Sequence, residues 1–154
     1  MMEYANNNMT LVSLARLPGG SGVHDPSQIA PLSLAYMGDT VYDLFVRTML
    51  LETTTLTARG LHERAAKLVC AKAQAAAFRR IEPMLSEEEL GVFRRGRNSH
   101  IGTVPKSASI MDYRTATGLE ALIGWLYLSG RDERIRSLMA EALCGGASDE
   151  TKAK

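Results

Sequence analysis

Residues 32–51, LSLAYMGDTVYDLFVRTMLL, constrain the fold more than any other stretch of the chain. The run is long and apolar enough to form one core helix, yet it carries Asp39 in its middle and Asp43 one turn later. An ionised carboxylate in apolar surroundings is costly unless it is paired or hydrogen-bonded. The usual compensating group is a metal ion or an arginine. Residues 117–128, TGLEALIGWLYL, repeat the arrangement with Glu120 set into a second apolar run. A chain with two such helices must fold around a helical core and deal with one acid from each.

Spacing orients the first helix. Leu34, Met37, Val41, Leu44, Thr48 and Leu51 recur every three or four residues and predict its core face. Ala35, Asp39, Tyr42, Asp43 and Val46 fall on the opposite face, and Gly38 leaves room for another backbone or a ligand to approach. Asp25-Pro26 and Pro31 are helix starts. Thr53–Thr55 break the pattern. Residues 56–81 then predict a helix by propensity, with Gly60 as its candidate break and its mixed charges as a solvated face.

Pro83 ends that element. Ser86 and Glu89 form a capping box for a helix running to about residue 97, acidic at its start and basic at its end. Residues 98–107 are a loop. Ser109 or Asp112 caps a helix reaching Leu128, Gly130 closes it, and residues 132–143 form a last amphipathic helix. There is no internal repeat and no strand pattern, so the fold class is all-α. The organisation expected is a flexible polar leader over 1–24 (with a short ordered piece near 11–17), a folded domain over 25–144 and a disordered tail over 145–154.

A chain of 154 residues can bury one sizeable core, and its net charge of +1 creates no field to draw a nucleic acid. Any such partner must meet a local patch. Cys70 and Cys144 are too few for a disulfide framework or a zinc site and read as reduced, partly buried thiols. No export signal and no membrane-length apolar run is visible, which points to a cytoplasmic protein with no membrane association.

Asp39 and Glu120 are hard oxygen donors suited to Mg²⁺ or Mn²⁺. Two core helices side by side could hold such an ion between them, and an ion there can activate water and clamp a phosphate. The competing reading is that each acid meets an arginine or caps a turn. Between residues 94 and 114 stand Arg94, Arg95, Arg97, Lys106 and Arg114 against the single acid Asp112, with Asn98 and several hydroxyls among them. A basic, polar, Gly-containing loop suits a phosphate backbone, and a solvated basic turn is the plain alternative. No aromatic is interleaved there, so helical RNA fits better than single strands. The three histidines lack metal-ligand spacing, and no Ser or Cys sits in a nucleophile motif.

LAYMGDTVYDLFVR (34–47) resembles the signature helix of ribonuclease III domains, and TGLEALIGWLYLSG (117–130) their second acidic helix. RRGRNSHIGTVPKS (94–107) resembles a stretch of the Mini-III branch, which lacks a double-stranded-RNA-binding domain. The likeness spans roughly residues 26–143, with three motifs in order. It implies an all-helical homodimer that hydrolyses double-stranded RNA with Mg²⁺, leaving 5′-phosphate and 3′-hydroxyl ends. It further implies maturation of the large-subunit ribosomal RNA precursor, aided by a large-subunit ribosomal protein. By position, Asp39 and Glu120 become the catalytic metal-site acids; the basic segment itself offers Arg94, Arg95, Arg97, Asn98 and Lys106 as the residues that would position the duplex.

The chain also departs from the longer enzymes of the family. Where they carry further acids, this chain has Leu32, Ala35 and Thr117. Asp43 stands where Glu is usual, and Asp43 and Thr117 are read as backing the site rather than as ligands. A non-catalytic RNA-binding or ribosome-associated scaffold with the same fold is the alternative. A helical nucleotide hydrolase is a weaker one, since Glu87–Glu89 reads as a capping turn.

Overall fold

The computed structural model describes residues 9–99, 102–104, 106 and 109–145. Seven α-helices account for most of them: α1 (Leu11–Ala15), α2 (Pro31–Thr53), α3 (Ala58–Val69), α4 (Ala71–Ile81), α5 (Glu87–Arg97), α6 (Ile110–Leu128) and α7 (Asp132–Cys144). Short 3₁₀ turns cover Pro26–Gln28 and Glu82–Met84, and no strand occurs among the described residues. The expectations for residues 1–8, for His100, Pro105 and Ser107, and for the tail beyond residue 145 lie outside the described residues.

The organising element is α6. Its sequence is apolar all round, so it must be covered all round. From Ala116 to Tyr127 every residue except Glu120 is buried. The covering helices are α2, α4 and α5, with α7 closing one side. Ser109 caps its start by accepting from the Asp112 N–H at 3.0 Å. Gly130, at φ +69°, ends it in the left-handed conformation glycine tolerates. The Gly130 and Arg131 amides donate to the Tyr127 and Leu126 carbonyls, each at 3.0 Å.

Glycine sets how closely α6 is approached. A Cβ on Gly38 of α2 would run into the Glu120 carbonyl oxygen and sit 2.8 Å from the Gly124 nitrogen. One on Gly124 would run into the Leu34 carbonyl. The two helices therefore cross backbone against backbone. On the α5 side, a Cβ on Gly96 would lie 2.7 Å from the Ala121 Cβ, and one on Gly118 would lie 2.6 Å from the Phe93 ring. Phe93 in turn stacks on Phe78 of α4, with ring centroids 3.7 Å apart.

These crossings correct the orientation expected of α2. Its buried face is Leu34, Ala35, Gly38, Val41, Tyr42, Val46 and Leu50. Leu44 and Leu51, assigned to the core, are 52% and 68% exposed. The helix turns its small residues inward because only they admit the α6 backbone, and that outweighs burial of two leucines at the edge. The predicted helix over 56–81 is also two helices. The break is at Cys70, which is extended (φ −66°, ψ 157°), and not at Gly60, whose N–H donates to the Thr57 cap. No breaker residue forces this. α3 packs on α2 while α4 packs on α6 and α7, and one straight helix could not reach both. Cys70 and Cys144 are exposed free thiols rather than partly buried ones.

The capping box at Ser86 and Glu89 is present, and it extends further than sequence showed. Glu89 is 3% exposed, and Arg134 of α7 donates to both its carboxylate oxygens at 2.8 Å. The same guanidinium donates to the Met84 carbonyl at 2.7 Å, so one arginine ties α7 to the start of α5. Short α1 lies against α6, its Leu11 N–H donating to Asp132 at 2.8 Å.

Candidate active site

The Gly38–Gly124 crossing brings the two acids together. Gly38 lies against the Glu120 peptide, so the next residue of α2, Asp39, emerges beside the one charged residue of the buried α6 run. Asp39 is exposed and Glu120 half-buried. Asp39 therefore stands at the surface and not inside the core, as its apolar helix had implied.

The electrostatics are those of an uncompensated pair. Burial, and then the neighbouring Asp39 charge, push Glu120 up to about 7, with Gln74 opposing them. Asp39 is raised by partial burial and then by Asp43. Neither acid has an ion pair with Lys, Arg or His among the described residues. The competing expectation of an arginine partner or a capping role does not hold for either acid.

Asp43 accepts from Arg47 at 2.7 Å, one turn further on, so it meets a cation of its own helix. Thr117 is buried, and its hydroxyl donates to the Tyr113 carbonyl at 3.0 Å. Neither hydrogen-bonds to the acid pair, although Asp43 adds negative potential beside Asp39.

The basic end of α5 packs on α6 through Gly96, which meets Gly118 and Ala121, the latter adjacent to Glu120 in sequence. Arg95 and Arg97 flank that contact. Arg94 and Arg95 are exposed, with Arg94 only 3.9 Å from Glu87. Arg97 donates to Asn98 at 3.1 Å and lies over the Phe93 ring, 5.6 Å from its centroid. Asn98 is the C-cap of α5, and Lys106 is exposed.

Two residues beside the site were not singled out from sequence. Gln74 of α4 is 1% exposed and neighbours Glu120. Tyr42 of α2 is 1% exposed, and burial, opposed by Arg80, pushes its phenol up to about 12, with smaller upward contributions from Cys70 and Glu120. The signal for Gln74 was legible. It is the polar member of a stripe it shares with Ala77, Phe78 and Ile81, where a core helix would carry an apolar residue.

Two close carboxylates without a counter-charge fit a hard divalent cation. No cluster of three ligating side chains exists among the described residues. An ion held by Asp39 and Glu120 would therefore keep much of its shell for water and phosphate oxygens, as Mg²⁺ commonly does.

Residues 32–131 match the Ribonuclease III domain family. That span holds both acids, the basic end of α5, α2 from Leu32 onward and all of α3 to α6. The chain belongs to the ribonuclease III domain family. It falls in the Mini-ribonuclease 3 group. It is 47% identical over 116 residues to the Mini-ribonuclease 3 of Clostridium tetani, covering 75% of this chain and 77% of that one. It is 47% identical over 118 residues to that of Brevibacillus brevis, covering 77% and 88%. A crystal structure of a Fusobacterium nucleatum protein superposes with a TM-score of 0.71 at 31% identity, over 77% of this chain and 95% of that one. The chain is an endoribonuclease of this family, and its kind of partner is RNA. None of its described helices is long and apolar enough to cross a membrane.

Proposed function

We propose that the chain is a Mg²⁺-dependent endoribonuclease for double-stranded RNA, with Mn²⁺ as a substitute, acting at Asp39 and Glu120. The observation that carries this is the uncompensated acid pair at the α2–α6 crossing, one helix contact away from the basic end of α5. A phosphodiester cannot approach two carboxylates unaided, because like charges in a partly desolvated site repel strongly. Asp39 and Glu120 would hold a divalent cation, which when bound would supply the missing charge and activate water.

The protein's own residues bind and orient. Arg94, Arg95, Arg97, Asn98 and Lys106 hold backbone phosphates, which sets position without reading sequence. Asp43 is engaged by Arg47 of its own helix. Hydrolysis adds the water oxygen to phosphorus and breaks the bond to the 3′ oxygen, leaving 5′-phosphate and 3′-hydroxyl ends. The same reading takes the natural substrate as the large-subunit ribosomal RNA precursor, met in the cytoplasm with the help of a ribosomal protein. It includes a homodimer. Tyr36, Leu44 and Leu51, at 81%, 52% and 68% exposure, form an apolar stripe along the outer face of α2 that a second copy would cover. In domain terms, 25–144 is the catalytic unit, with 1–24 and 145–154 as its leader and tail.

The test is cleavage of long double-stranded RNA with Mg²⁺, with Ca²⁺ and with chelator, by wild type and Asp39→Asn. Cutting that needs Mg²⁺ and vanishes in the variant is expected. A variant that still cuts would remove Asp39 from the reaction. Sedimentation of the same protein should give twice the chain mass.

A further inference from the structure

Gln74 is a buried residue that the reading above leaves without a role. It sits on α4, the third helix against α6, among the buried Ala75, Ala77, Phe78 and Ile81. Its carboxamide offers two donors and two acceptor lone pairs. Neither amide atom has a hydrogen-bond partner of regular geometry among the described residues. A polar group sealed in that way is destabilising, and Leu or Met would fill the same volume without it. The packing of α4 on α6 nonetheless makes this amide a neighbour of the Glu120 carboxylate.

We propose that Gln74 is a positioning residue for Glu120, donating its amide N–H to one carboxylate oxygen and so fixing how the acid faces Asp39. The inference rests on the reading of Asp39 and Glu120 as the cation-holding pair. An amide is the side chain suited to the task. Arginine or lysine would orient Glu120 equally well but would neutralise it and displace the cation. A second carboxylate would add repulsion and no donor. Glutamine supplies a donor and no charge, so Glu120 is held while its charge stays available. Partners of this kind, behind a metal-binding carboxylate, typically change metal affinity by about 10- to 100-fold when removed.

The experiment uses the full chain in four forms: wild type, Gln74→Met, Gln74→Leu and Glu120→Gln. Mn²⁺ binding without RNA is measured by the paramagnetic resonance signal of the free ion. Thermal melting is measured without metal, and cleavage is measured against Mg²⁺ concentration. Both Gln74 variants should bind Mn²⁺ about 10- to 100-fold more weakly. They should need correspondingly more Mg²⁺ for half-maximal cleavage, and their metal-free melting temperature should be unchanged or higher.

Wild-type Mn²⁺ affinity in either folded Gln74 variant, with Glu120→Gln abolishing binding and cleavage, overturns this inference alone. Weaker binding accompanied by lower melting in both variants also overturns it, because Gln74 would then be a packing residue. Unaltered binding and cleavage in Glu120→Gln overturns the acid-pair reading itself.

Discussion

Gly38→Ala is the sharpest test of how the site is built. In an exposed helix this substitution usually stabilises by about 1 kcal/mol, because alanine is the better helix former. Here the opposite sign is expected. The added carbon would lie 2.6 Å from the Glu120 carbonyl carbon and 2.8 Å from the Gly124 nitrogen. Both distances are well inside the roughly 3.5–4.0 Å at which carbon contacts are favourable. The obstacle is backbone and not the end of a movable side chain, so α2 and α6 must separate. Overpacking of a filled core costs about 1–3 kcal/mol, and a backbone collision belongs at the upper end of that range. Less the propensity gain, the net loss is about 2 kcal/mol. For a chain of this size that lowers the melting temperature by roughly 4–8 °C.

The matched control is Gly91 of α5, where an added Cβ meets nothing within 4 Å. Gly91→Ala should stabilise by up to about 1 kcal/mol. Urea unfolding of both variants reads the difference directly, about 3 kcal/mol between two chemically identical changes. Cleavage adds a second readout. The separation begins at the peptide of Glu120, so it draws Asp39 away from its partner. A misplacement of about 1 Å can cost on the order of a hundredfold in rate. Gly38→Ala as stable as Gly91→Ala would refute the backbone crossing. Gly38→Ala that is destabilised yet cuts at the wild-type rate would refute the link between crossing and site.

Other expectations follow from the same geometry. Lys106→Ala should weaken double-stranded RNA binding and reduce the slope of its salt dependence by about one unit, measured by titration at several salt concentrations; an unchanged slope would remove Lys106 from the footprint. Arg134→Met should lower stability at neutral pH by about 2–4 kcal/mol, since it strands the buried Glu89 carboxylate. Arg134, and then Ser86, hold Glu89 below the ordinary carboxylate range against burial, so its contribution is present above that range and lost as pH falls through the lowered value. The wild-type advantage over Arg134→Met should therefore shrink on acidification below about pH 4.5 in urea unfolding, and an advantage constant down to pH 3 would contradict the pairing. Tyr36→Asp, on the outer stripe of α2, should reduce the sedimenting mass toward one chain, whereas an unchanged mass would place the second copy elsewhere.

Local signals in the sequence were read correctly wherever their cause is local. The capping box at Ser86, the Ser109 cap, the proline-led start of α2 and the glycine end of α6 depend on a few adjacent residues. The two acids of the proposed site stood out for a related reason: each is a charged exception in an apolar run. The orientation of α2 was not legible from its large hydrophobes. Leu44 and Leu51 outweigh Ala35 and Gly38 in any count of apolar surface, but the neighbouring helix selects for small residues. The break at Cys70 was hidden as well, because it follows from which helices α3 and α4 must reach. Gln74 lay in plain view, but a neutral amide in an Ala-rich helix suggests no chemistry until Glu120 is beside it.

Burial of an acid, taken alone, does not mark this site. Glu89 is more deeply buried than Glu120, at 3% exposure, and the same premise applied to it would demand a cation. The chain provides one: Arg134 engages both its oxygens, Ser86 adds an N–H, and the acid titrates below its ordinary range. Glu120 has a charged neighbour of the wrong sign and a neutral amide, and it titrates well above that range. The two glutamates thus meet one physical requirement in opposite ways. The first is satisfied from within the fold and fastens α5 to α7. The second meets no counter-charge among the described residues, and a cation from outside the chain would meet its requirement. An acid kept in that state costs stability, and a cation shared with a phosphate is what would compensate for it.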